Sequence, residues 1–206
     1  MAGSRSRAAG PACQPGDVDT PAAPATYVLV DGENLDATLG ISVLGRRPAP
    51  DERPRWERLA QFAERTFGGP VRGPFFINAS SGALPSGFIG ALLQLGFTPI
   101  PLSGPPTTKV VDVGIQRTLD ALVGRGGNVI LGSHDGDFLP HVERLLDGTR
   151  RVGVVAFREL LNAGYEPLRS SGLQVFDLED DVRAFNQVLP RIRIIDIDAF
   201  DPARFL

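Results

Sequence analysis

Asp135 and Asp137 stand one residue apart in the stretch NVILGSHDGDFLP, residues 128–140. Two carboxylates in one tight turn repel each other, and the ordinary relief is a bound cation or a raised pKa. The turn follows a short apolar run at 129–131 and also carries Ser133 and His134. Such a stretch makes a poor core and a poor ordinary turn, so it reads as half of a divalent-cation site. A second acidic turn, Asp31-Gly32-Glu33-Asn34, ends another apolar run at 27–30. A third acid, Asp112, lies in the stretch KVVDVGI, residues 109–115. Alone, an acid at the start of a helix is an ordinary partner for the helix dipole. Hard cations such as Mg²⁺ take oxygen ligands, usually one or two carboxylates plus water and substrate phosphate. Bound metal lowers the pKa of its water and offsets charge building on phosphate.

Segments this far apart can share a pocket only if the fold brings their ends together. Apolar, β-favouring runs at 27–30, 74–79, 97–101, 129–131, 151–157 and 174–176 predict strands. Helical spacing at 56–67, where Trp56, Leu59, Ala60, Ala63 and Phe67 fall on one face, predicts a helix. Further helices are expected over 35–39, 88–95, 109–123, 138–146 and 165–170. Strands alternating with helices predict a three-layer α/β/α fold with a mainly parallel, Rossmann-like sheet of five or six strands. In such sheets ligands bind beyond the carboxyl ends of the strands, where strand order reverses. Asp31 ends the first strand and Asp135 and Asp137 follow the fourth, so these acids can meet there.

Residues 1–25 are rich in Ala, Gly, Pro and Ser without apolar periodicity, and are expected to be a disordered tail. Residues 26–178 form the expected domain and 179–206 an extension. Within that extension, 191–198 (RIRIIDID) alternates like an edge strand, and the last residues are expected to pack back or to mediate a homo-oligomer. No apolar run reaches the roughly 18 residues that span a membrane. Arg5 and Arg7 are not followed by the apolar core of a secretory signal. The single cysteine, Cys13, forms no internal disulfide and no zinc pattern, so a reducing cytoplasm is the simplest compartment. The net charge of −3 excludes a generally basic surface, so any nucleic-acid contact must be local. Of 21 basic residues only Lys109 is lysine. Genome composition accounts for that, as does the bidentate grip of arginine on phosphate.

The ordered trio of D-G-E-N after a strand, K-x-x-D-V-x-I opening a helix, and S-x-D-G-D-F after another strand resembles the NYN domain family, a branch of the PIN-like nucleases. The resemblance covers roughly residues 26–178. It implies a parallel α/β/α fold, an acidic cluster binding Mg²⁺ or Mn²⁺, and hydrolysis of RNA. Carried over position by position, it implies metal-binding and catalytic roles for Asp31, Asp112, Asp135 and Asp137, with Asn34 as the associated polar residue. Two departures stand out. His134 occupies a position where the family often has glycine, and Thr118 stands where many relatives carry another acid, the next here being Asp120.

Around that centre, Asn34 would orient Asp31 or a water, and Ser133 would donate to a phosphate or a carboxylate. Lys109 would touch substrate phosphate or pair with an acid. The loop over 40–55 would bring Arg46 and Arg47 to RNA backbone, or would be a solvated loop. Asp137 would bind metal, cap the following helix, or both. His134 reads as a turn residue rather than a general base, and Glu33 as solvent-facing. Phe75, Phe76, Phe88 and Phe97 read as core, not as base-stacking platforms. Gly114, inside a helix, would allow a close approach. The function expected is a metal-dependent ribonuclease. The alternatives are a non-catalytic RNA-binding module and, less favoured, a phosphatase, whose D-x-D motif would require Asp at position 33, where Glu stands.

Overall fold

The structure is a computed structural model that describes residues 23–206, apart from 83, 194 and 196. The tail expected over 1–25 therefore lies almost wholly outside the described residues. Six parallel strands form one sheet in the order β3-β2-β1-β4-β5-β6. They are β1 (Thr26–Val30), β2 (Val71–Asn78), β3 (Phe97–Leu102), β4 (Asn128–Gly132), β5 (Val152–Ala156) and β6 (Leu173–Asp177). The helices are α1 (Gly32–Thr38), α2 (Trp56–Phe67), α3 (Ser86–Gln94), α4 (Val110–Val123) and α5 (Leu139–Leu145). Strand order runs outward from β1 in one direction and from β4 in the other, so these two central strands mark the switch point.

The period-two alternation of each central strand splits the core into two layers. Val28, Val30, Phe75 and Ile130 face α1, α2 and α3, through Leu35, Leu59, Phe62, Ala63 and Leu92. Leu29, Phe76, Val129 and Leu131 face α4 and α5, through Ile115, Leu119, Val142 and Leu145. β4 and β5 are buried along their whole length, as a strand covered on both faces must be. Gly114 supports the close approach of α4 to the sheet. A Cβ there would lie 2.4 Å from Leu102 Cδ1 and 3.0 Å from Phe76 Cδ1.

β3 is an edge strand with prolines at 99 and 101. The Leu102 carbonyl accepts from the Ala79 amide, so residues 100 and 102 turn their backbone groups toward β2. Residues 99 and 101, one step out of phase, turn outward. Proline is tolerated there because no ladder bond is lost.

Three expectations need correction. The helix expected at 35–39 begins at Gly32, directly after Asp31. It continues into a π-helical turn over Leu39–Leu44, where a loop was expected. The helix expected over 138–146 opens as a 3-10 turn, Gly136–Phe138, before α5. The edge strand expected over 191–198 does not form among the described residues, and Ile197–Ala199 is a 3-10 turn. The reason is Arg191. Its side chain is 3% exposed and pairs with Glu159 (2.5 Å) and Asp177 (2.6 Å), with Glu179 at 3.4 Å. The guanidinium also lies over the Phe157 ring, 4.8 Å from its centroid. Ahead of it, Leu178, Val182, Ala184, Phe185 and Leu189 join the core. No helix among the described residues is long and apolar enough to cross a membrane.

Removing one member of a buried ion pair leaves the other charges uncompensated, at a cost of roughly 3–5 kcal/mol. Arg191→Ala should therefore lower the midpoint of urea unfolding at neutral pH, by about 1–3 M for a loss of that order. An unchanged midpoint would refute the anchoring role of Arg191.

Candidate metal centre

Asp31 is the first residue past β1, and its amide donates to the Gly132 carbonyl at the end of β4 (3.0 Å). The residue is nearly inaccessible, at 2% exposure. It accepts from the Asn34 amide (3.1 Å), as N-cap of α1, and from Ser133 Oγ (3.0 Å). Burial pushes the Asp31 carboxyl up to about 6, against those two hydrogen bonds and with added repulsion from Asp112 and Asp135. Ser133 is fully buried, and its Oγ also accepts from the Asp135 amide (3.2 Å). The hydroxyl that could have met a phosphate is thus committed to Asp31.

Asp135 caps the 3-10 turn that follows, accepting from the Asp137 amide (2.9 Å). The capping role expected of Asp137 falls to Asp135 instead. Tyr165 Oη donates to the Asp135 carbonyl (2.8 Å), which holds the turn from the α5 side. Asp112 reaches the same place from the first turn of α4. Carboxylate oxygens of Asp112, Asp135 and Asp137 all lie within 4.8 Å of one another. Asp31 stands behind them, close enough for the Asp112 and Asp135 charges to raise its pKa.

Lys109, the N-cap residue of α4, places Nζ 3.3 Å from Asp112 Oδ2 and 3.5 Å from Asp137 Oδ2. Its ammonium stands where a cation is wanted, yet its side chain is 70% exposed. The donor set is all hard carboxylate oxygen, which fits Mg²⁺ or Mn²⁺ and not a soft metal.

His134 lies beside the centre without entering it. The Phe157 amide donates to Nε2 (2.8 Å), so the ring proton sits on Nδ1 and is given to Asn34 Oδ1 (3.1 Å). The His134 amide donates to the same oxygen (2.9 Å). Burial holds the imidazole down to about 4; Glu159 and Asp177 pull the other way, and Arg191 adds to the lowering. The neutral ring ties α1, β4 and the end of β5 together, and its basic lone pair is occupied. Asn34 is consumed by this clamp.

Arg46 and Arg47 stand apart, on a groove lined also by Asp36, Gly40 and Pro48. Arg46 grips Glu52 through both terminal nitrogens (2.7 and 2.6 Å), while Arg47 is exposed. Asp120 is turned to His141 (2.6 Å) and Arg144, further along α4. Tyr165 and the His134 clamp were missed by sequence reasoning. Nothing in their local spacing signals a partner 30 residues away for Tyr165 or 100 for His134.

The NYN domain family model matches residues 25–174. The chain belongs to the NYN domain family. NYN domains are a branch of the PIN-like nuclease superfamily, and the parallel three-layer architecture is the one that membership implies. A solved protein of unknown function from Vibrio parahaemolyticus shares the fold. It is 21% identical, covers 80% of this chain and 98% of its own, and superposes with a TM-score of 0.59. The Escherichia coli YcaC gene product, described as an octameric hydrolase of unknown specificity, matches at 14% identity over 84% of each chain. Its TM-score of 0.43 is too low to carry an argument about this NYN domain. No curated protein matches the sequence.

The raised Asp31 pKa has a stability consequence. Between its unfolded value of 3.8 and about 6, the folded NYN domain holds a proton that the unfolded chain has released. Stability contributed by that proton is present below pH 4 and lost as pH rises through 6, on the order of 2–3 kcal/mol. In EDTA, Asp31→Asn should melt higher than wild type at pH 8, and the gain should vanish near pH 4. A gain independent of pH would show that Asp31 is not the titrating group.

Proposed function

We propose that this NYN domain is a metal-dependent ribonuclease, hydrolysing phosphodiester bonds within single-stranded or exposed RNA. The observation that carries the reading is the convergence of Asp112, Asp135 and Asp137 within 4.8 Å, at the carboxyl ends of the two central strands. These three would hold Mg²⁺ or Mn²⁺, with Asp31 behind them. Such an ion supplies an activated water and offsets charge on the phosphate.

The chain's own groups then divide the work. Ser133 and the Asn34 amide hold Asp31 in place, and Tyr165 and Asp135 hold the turn that presents Asp137. Asn34 and Ser133 therefore support the carboxylates rather than contact substrate. Lys109, on a long exposed stem, is free to leave its two carboxylates when a divalent ion takes its place, and to meet a phosphate oxygen. The exposed Arg47 offers positive charge along the neighbouring groove, while Arg46 there is already paired with Glu52. His134 moves no proton, because its lone pair is held by Phe157. With a net charge of −3, RNA is engaged through these local contacts rather than a broad basic face.

A second reading has one observation in its favour. Lys109 already bridges two of the acids, and a centre so neutralised could bind RNA without turnover. The two readings part in one assay. Purified protein should cleave single-stranded RNA in Mn²⁺ or Mg²⁺, lose the activity in EDTA, and regain it when the ion is restored. Asp135→Asn should fall to background while keeping its melting transition. Full cleavage in EDTA, or by Asp135→Asn, would sink the ribonuclease. RNA retention without cleavage in Mn²⁺ would establish the binding module.

A further inference from the structure

Next to the acidic centre, past the carboxyl end of β2, lies a cavity of about 530 Å³. That is within the range of small-ligand sites. Its walls are aromatic. Trp56 and Phe88 each stand edge-on to Phe75, with ring centroids 5.4 Å apart in both pairs. Phe75 is buried, but Phe88 is 38% exposed, so the sequence reading that placed it in the core is corrected here. The cavity begins one residue from Asp31. Gly32 lines it, and a Cβ at that position would sit 3.0 Å from the Phe75 ring. Glycine is what lets the aromatic floor come so near the carboxylates.

The surroundings select among possible occupants. On one side are the carboxylates, which hold a phosphate through metal in the function proposed above. On the other is a second groove, of about 440 Å³, that shares Asp36 and Ala37 with the cavity and carries Arg46 and Arg47. A nucleotide strand whose phosphates meet the carboxylate centre and the exposed Arg47 of that groove would have room to turn the base between them into the aromatic cavity. The rim is also polar enough to meet a base edge. Asn78 Oδ1 accepts from the Ser80 amide, which leaves the Asn78 NH₂ as a donor, and Glu33 offers an exposed carboxylate. A purely apolar segment would waste both.

We infer that this cavity is a nucleobase subsite, taking the base of the nucleotide next to the phosphate held at Asp112, Asp135 and Asp137. That the base belongs to an RNA strand rests on the ribonuclease reading. The affinity of the cavity for a base does not.

Trp56 is the only tryptophan in the chain, and it lines the cavity, so its fluorescence reports directly. Metal-free protein in EDTA should show saturable quenching with adenosine or cytidine and none with ribose. Stacking on one aromatic group supports about a tenfold change in affinity. Phe88→Ala should weaken nucleoside binding by about that factor, and Phe88→Tyr should restore it. In the Mn²⁺ cleavage assay, Phe88→Ala should raise KM by a similar factor and leave kcat near wild type. Wild type should respond in the same way to a substrate made abasic beside the scissile phosphate. Absence of quenching at saturating nucleoside overturns the subsite even if RNA is cleaved normally. Quenching without any cleavage leaves the subsite standing and removes the nuclease. If nucleosides are silent and Phe88→Ala instead dissociates an oligomer, the cavity is a contact between copies of this chain and the proposal fails.

Discussion

Asp31 and Ser133 are 102 residues apart in sequence and share a hydrogen bond in the middle of the sheet. That bond exists because β1 and β4 lie side by side at the switch point, with Val30 opposite Gly132. It carries an electrostatic burden. A carboxylate shut away from water, with Asp112 and Asp135 close by, gives up its proton less readily than a solvated one. The donors around Asp31 offset part of that cost, and the remainder raises its pKa. The His134 clamp, the Tyr165 bond and the cap at Asp135 all serve to hold the acids where repulsion would spread them.

The same edge of the sheet holds a second acidic group with the opposite solution. Asp177, Glu159 and Glu179 gather around Arg191, which is buried among them. Burial alone would raise the Asp177 carboxyl, yet the Arg191 hydrogen bonds and backbone amides outweigh it and bring the group down to about 2. There the countercharge is permanent and inaccessible. At the centre on β1 and β4 it is Lys109, a flexible and mostly solvated ammonium. One cluster is satisfied for good and the other only provisionally. That contrast leaves the Asp112, Asp135 and Asp137 centre as the cluster that could hold a metal ion.

The layered sheet was legible in the sequence because it rests on local signals. Apolar runs of strand length alternate with amphipathic stretches, and glycine or proline punctuates them. The approach of Asp135 to Asp31 was legible too, since strand ends in a parallel sheet converge by topology, whereas Asp112 was placed with them by the family resemblance. What escaped depends on partners that local pattern does not encode. The alternation in 191–198 mimics a strand, but a single guanidinium finds three carboxylates and draws the chain away from the sheet. Phe88 looks like any helical core residue, and only the neighbouring Trp56 and Gly32 reveal that its ring borders open space. The reading of His134 as a turn residue left its clamp unseen, because its tautomer is decided by the Phe157 amide just past β5.

The prolines of β3 set a limit on how the molecule can associate. A neighbouring chain that tried to continue the sheet past this strand would find carbonyl acceptors facing it, but no N–H at positions 99 and 101. Without those donors the ladder cannot propagate. Assemblies of this protein must therefore be built from helix faces, loops or the opposite border. The flank beside β2 and its aromatic cavity stays clear of fibre-like stacking.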